Sequence, residues 1–227
     1  MERNRTENFK AIANKLGMEF HAEGMDSVHK DHHHLRLFQR GREQKLRNLL
    51  RTHQDNTIVA VFDYQFTSGR GEKSRTHRQT VFSFSSSNLE LPAFALRPEN
   101  VFHKIGNIFG FTDINFESYP TFSSQYLLKG ADEQAIRGFF TPDRIQYLES
   151  QKGICMEAEK NCLIYYRASR RVKADDLHTF ITEGIEISKR IANLWLRFST
   201  TSNWNKLQKD NGAEYYLKDN ETSCGHI

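Results

Sequence analysis

Three histidines, His29, His32 and His33, share one helical face if Val28 to Leu35 is helical, and Asp26 is near them in sequence. Imidazoles at that spacing can ligate a metal. A zinc site, however, needs three or four ligands held by a second layer of hydrogen bonds, and His34 adds no defined geometry. The expectation is a solvated helix face and no metal. The string SGRGEKS, Ser68 to Ser74, invites comparison with a phosphate-binding loop. That loop requires four residues between its first Gly and the Gly-Lys pair, and a helix after it; here Glu72 separates Gly71 from Lys73 and a strand pattern follows. What the segment does carry is charge. Arg70, Lys73, Arg75, His77 and Arg78 face only Glu72 as an opposing residue. Such a cluster can bind phosphates or an anionic membrane surface, or serve as a solubilising loop that protects a sheet edge.

Other reactive residue types lack a constellation. Cys155, Cys162 and Cys224 have no regular spacing, and an odd count is not a disulfide framework. Cys155 and Cys162 fall on the two strands of one expected hairpin, where small buried thiols are the simplest reading. Asp63, Glu99, Asp113, Glu117, His77 and His103 could do acid–base work, but nothing gathers them. No Gly-x-Ser-x-Gly elbow, His-Glu-x-x-His pair or dinucleotide fingerprint is present. No cofactor is expected.

The elements that must position these residues follow from periodicity. Phe9, Ile12 and Leu16 recur at helical spacing, and Gly17 ends that helix. A short strand over Met18 to His21 and a second helix over Met25 to Leu37 come next. Leu46 to Gln54 and Thr57 to Thr67 read as strands joined by the turn pair Asp55-Asn56. Gln79 to Ser86 is a third strand, so Ser68 to Arg78 is the exposed tip of a long hairpin. Pro92 marks Leu89 to Leu96 as an edge strand. Pro98 and Glu99 open a helix that stops at Gly110. Short strands are expected at Asp113 to Phe116 and Ser123 to Lys129. Asp132 caps a helix to Phe139, and Thr141-Pro142 starts another that ends before Gly153. Ile154 to Glu157 and Cys162 to Arg167 form a hairpin. Ala174 to Phe198 is a long amphipathic helix striped by Leu177, Phe180, Ile181, Ile187, Ile191, Leu194, Trp195 and Phe198, with Gly184 inside it.

These elements predict an α+β fold, a largely antiparallel sheet with helices packed on it. Residues 1–198 form one domain, and 199–227, where periodicity is lost, form a weakly ordered polar tail. A chain of 227 residues with 17 Phe and 8 Tyr can build a core without metal or disulfide staples. The mean hydropathy of -0.69 and the lack of a long apolar run exclude a helical membrane span. The first twenty residues have no apolar signal region, so the expected compartment is the cytoplasm. A net charge of +4 is too mild to mark a nucleic-acid binder by itself.

Two stretches, FDYQFTSGRGEKSRTHRQTV (Phe62 to Val81) and the run from LPAFALRPE through FGFTDINFESYPTFSSQYLLKGADEQAIRGFFTP (Leu91 to Pro142), resemble a family of uncharacterised, mainly bacterial proteins. The resemblance extends from the first helix to the long last one. It implies no activity, because that family has none established. Its members often carry transmembrane helices ahead of this region, and they more often have Asp where this chain has Asn115.

The leading functional expectation is a non-enzymatic cytoplasmic binding module that docks at an anionic membrane surface through its basic hairpin loop, or binds a protein partner. The alternatives are a metal-independent hydrolase with an unidentified site, and a weak nucleic-acid binder using the same patch. The last lacks an aromatic stacking platform.

Overall fold

A computed structural model describes residues 2–24, 28, 31–99 and 113–192. The chain divides into a unit over Met1–Trp195 and another over Leu196–Ile227, and every described residue belongs to the first. The expected tail, His29, His103 and the helix expected to end at Gly110 lie outside the described residues, save the Pro98 and Glu99 that were to open that helix.

The chain opens with helix α1 (Glu2–Leu16) and strand β1 (Glu19–Glu23). A 3-10 turn at Arg36–Gln39 leads to the long strands β2 (Arg42–Gln54), β3 (Thr57–Ser68) and β4 (Arg75–Ser86). Strand β5 (Leu91–Pro98) follows, then helix α2 (Pro120–Gln125) and strand β6 (Tyr126–Gly130). Helices α3 (Glu133–Phe139) and α4 (Pro142–Ser150), the hairpin β7 (Cys155–Lys160) and β8 (Cys162–Tyr166), and helix α5 (Leu177–Ala192) complete it. The eight strands form one antiparallel sheet in the order β1-β2-β3-β4-β8-β7-β5-β6. The fold is therefore α+β.

Four local expectations are corrected. Strand β5 is not an edge strand: it lies between β7 and β6, and its ladder with β7 shifts register between Leu91 and Phe94, where Pro92 sits. A bulge removes the need for the N–H that proline lacks. Strand β5 also runs through Pro98, so of Pro98 and Glu99, which are expected to open a helix, only Glu99 is helical. The strand expected from Ser123 begins only at Tyr126, because Pro120 starts the helix α2 before it. Asp113 contributes a single bridge to Lys129, not a strand.

Cross-strand pairing assigns side chains to the two sheet faces. Asp63 pairs with Thr80, Val61 with Phe82 and Gln65 with Arg78 on one face; Phe62 pairs with Val81, Tyr64 with Gln79 and Phe66 with His77 on the other. Helices cover the first face. Arg5 of α1 reaches Asp63, Phe180 of α5 stacks on Tyr165 at 5.1 Å, and Phe94 packs against Phe139 and Phe140. Helix α5 comes closest at Gly184, where a Cβ would lie 2.4 Å from the Phe82 ring. The second face is covered by the segment before β2. Val28, Leu35, Leu37 and Phe38 join Phe62, Tyr64, Phe66, Ile164 and Tyr166 in one core. Each fully buried Phe contributes about 1.5–3 kcal/mol through removal of apolar surface from water. Glu157 ties this cover to the sheet: it accepts from the Leu37 backbone N–H at 2.8 Å, from Arg97 at 2.6 Å and from the Tyr166 hydroxyl at 3.0 Å.

Candidate functional site

The β3–β4 connection is shorter than the alternation of residues implied. Strand pairing continues to Ser68 and Arg75, so the tip is residues 69–74, with a 3-10 turn at Gly71–Lys73. Gly69 (φ 76°) has its Cβ position only 2.3 Å from the Lys73 carbonyl oxygen, and Gly71 also has positive φ; the turn closes because neither has a side chain. Arg70 and Lys73 lie exposed on this tip, and Arg75 and Arg78 are exposed on β4. Arg42, at the start of β2, joins them. Its guanidinium donates to the Gly69 carbonyl and, at 3.1 Å, to the Ser74 hydroxyl.

His77 does not belong to this patch. It is buried, its ring stacks on Phe66 at 4.7 Å, and its nitrogens bond the hydroxyls of Ser68 (2.8 Å) and Ser169 (2.9 Å). Burial, then Arg75, lower its pKa from the imidazole norm and so disfavour its charged form. Strand alternation explains this: His77 lies on the face opposite to Arg78.

The histidine cluster is also rearranged. His32 is buried, contrary to the expected solvated face. Its Nδ1 donates to the Val28 carbonyl at 2.8 Å, which leaves Nε2 to accept from the Ser83 hydroxyl at 2.5 Å. This serine–histidine pair has the atoms of a hydrolase dyad, but Ser83 and His32 are 1% and 3% exposed. A substrate has no approach to the hydroxyl in this conformation. No three potential metal ligands converge among the described residues. Cys155 and Cys162 are free, buried thiols, each pushed up to about 12 by burial. Asp63 is held by Arg5 through two bonds of 2.6 and 2.7 Å, by Thr80 at 2.9 Å and by Asn48 at 3.0 Å. Asp113 pairs with Lys129 at 2.9 Å.

A second basic feature escaped the sequence. Lys45, Arg47, Arg78 and Arg171 rim a pocket of about 100 Å³ on the helix-covered face, floored by Asn48 and Gln65. Strand β2 carries two register shifts, one between Arg42 and Lys45 and one between Arg47 and Leu50. Each holds a residue at positive φ, Glu43 and Asn48 (both 53°). A bulge places two successive residues against one partner and re-aims them, so Arg47 and Asn48 both reach the pocket. Strict alternation would send one of them to the opposite face.

Among the described residues, no helix is long and apolar enough to cross a membrane. The fold and this basic end define a class no narrower than an antiparallel sheet with helices packed on it. No protein-family model matches the chain, and no curated protein is similar to it. Among solved structures, the fold is similar to that of the mycobacterial trehalose monomycolate transport factor A, TtfA, with a TM-score of 0.57 and 12% identity, over 82% of this chain and 94% of that one.

Proposed function

We propose that the protein is a non-enzymatic binding module that docks reversibly at an anionic membrane surface through the end of its β3–β4 hairpin. The observation that carries this reading is the grouping of Arg42, Arg70, Lys73 and Arg75 at one extremity of the sheet. The turn is only six residues long, so these cations are near enough to act within one Debye length, about 8 Å at physiological salt. Near an acidic leaflet each contributes about 1 kcal/mol. Four of them give weak, salt-sensitive association and no permanent anchor. The similarity to a protein named as a transport factor is in keeping with a binding role, as is the burial of the serine–histidine pair. The mainly bacterial family that the sequence resembles is proposed as its kin.

The test is co-sedimentation with vesicles of phosphatidylcholine containing phosphatidylglycerol. Binding of the wild type should weaken steadily as salt rises. Replacing Arg70, Lys73 and Arg75 with Ser should remove it while leaving the melting temperature within a few degrees, since exposed charges add little stability. Identical sedimentation of wild type and variant at low salt would refute the docking reading.

A further inference from the structure

The pocket on the helix-covered face has a charge, a size and an unmet hydrogen bond that together describe a ligand. Its lining holds four cations, Lys45, Arg47, Arg78 and Arg171, and two carboxylates, Glu2 and Asp63. Both carboxylates are already engaged. Glu2 takes two bonds from Arg171 at 2.8 and 2.9 Å, and Asp63 is held by Arg5. Lys45, Arg47 and Arg78 form no salt bridge among the described residues. Gln65 accepts from Arg78 Nε at 2.8 Å and so fixes that guanidinium beside the opening while its terminal N–H groups stay available. Asn48 supplies a different signal. The residue is buried, its amide nitrogen is committed to Asp63, and its Oδ1 has no hydrogen-bond partner. An unmet buried acceptor is unfavourable, so the site is poised for a ligand or water that brings a donor.

We infer that this pocket binds one phosphate monoester group, with Lys45, Arg47 and Arg78 on its oxygens and Asn48 Oδ1 accepting from its P–OH or from a water carried with it. A monoester bears about -1.5 to -2 charges near neutral pH, which Lys45, Arg47 and Arg78 together can offset. It also carries a P–OH part of the time, which a diester never does. A pocket of about 100 Å³ has room for a phosphate group; the rest of the molecule would stay outside. Arg78 lies three residues along β4 from Arg75, about 10 Å at 3.3 Å per residue. Tip and pocket can therefore engage one surface together. The inference rests on the docking reading for the source of the phosphate, a phosphorylated lipid headgroup; the chemistry of the pocket would equally accept a soluble phosphate monoester.

The experiment compares vesicles containing phosphatidylinositol 4-phosphate with vesicles containing phosphatidylglycerol, a diester, at matched surface charge. Glycerol 3-phosphate serves as the soluble probe. The wild type should prefer the monoester lipid by roughly tenfold or more, the scale of one charge-assisted hydrogen bond. Lys45→Gln and Arg47→Gln should each lose that preference, keep their binding to phosphatidylglycerol and keep the wild-type melting temperature. Both residues are exposed, so if one variant fails to fold the other decides. Equal affinity for the two lipids, or a preference that survives in a folded variant, overturns the pocket and leaves docking through the tip intact. If neither vesicle binds, the docking reading fails. The pocket then stands only if glycerol 3-phosphate raises the melting temperature of the wild type and not of Lys45→Gln, and falls if it does not.

Discussion

Asp63 is the most heavily bonded side chain near the basic end, and its partners come from far apart in sequence: Arg5, Asn48 and Thr80. The Arg5 guanidinium also donates to the Val172 carbonyl at 2.7 Å. Removing one member of a buried pair leaves the other charge without compensation, which typically costs 3–5 kcal/mol. Asp63 and Arg5 side chains are 8% and 13% exposed, so the lower end of that range applies. Asp63→Asn should lower stability by about 3 kcal/mol, read as a shift in the urea midpoint. A change within experimental error would mean the pair only decorates the surface.

His32 makes acid stability a second test. Burial is the main cause that brings its pKa from 6.5 down to about 4, against smaller opposing effects of the Val28 carbonyl and Asp31 and minor contributions from His34 and Arg51. The folded value is below the unfolded one, so between them the unfolded chain binds more protons. The contribution is complete above pH 6.5, declines as the pH falls toward 4, and is fully lost below that. The span corresponds to on the order of 3 kcal/mol. Urea midpoints at pH 7 and pH 4.5 should differ more for the wild type than for His32→Gln, and parallel losses in both proteins would assign the acid sensitivity to other groups.

At the scale of elements, Gly184 sets how closely α5 lies on the sheet. Alanine there gains helix propensity of about 1 kcal/mol, but its Cβ would sit 2.4 Å from a Phe82 ring that is fully buried. Overpacking of this kind costs about 1–3 kcal/mol. Gly184→Ala should therefore lower the melting temperature, and a rise would show that the Phe82 ring can move aside. The stripe of α5, the capping of α3 by Asp132, whose side chain accepts from Ala135 N–H at 2.9 Å, and the β7–β8 hairpin were all legible, because each is specified by neighbours in sequence. Strand β5 was not, since its central place depends on a later hairpin inserting between it and β4, and Pro92 signals an edge unless the bulge is known. Strand β2 was legible only from Leu46 onward. Its two bulges break the alternation, and that is why Arg42, Lys45 and Arg47 did not join the candidate residues. His77 was misassigned for the opposite reason: the strand extends farther toward the tip than the charged composition of that segment suggested, and its alternation turns the ring inward.

For the whole molecule, sequence order alone could not show that charge from four separate segments meets at one end of the sheet. Arg171 approaches from the connection after β8, and Glu2 and Arg5 from α1, while Lys45 and Arg78 come from strands on either side of β3. The opposite end of β3 carries the Asp55-Asn56 turn, which has no basic residue within it. A surface that reads charge should therefore meet the molecule end-on. The measurement that tests this most directly places an environment-sensitive fluorophore at either end, through Glu72→Cys or Asn56→Cys in a Cys224→Ser background; Cys155 and Cys162 are buried and shielded from the label. With acidic vesicles at low salt, docking through the tip predicts a blue shift for the label at position 72 that salt reverses, and no shift for the label at position 56. Equal responses at both ends, or a response at position 56 alone, would contradict it.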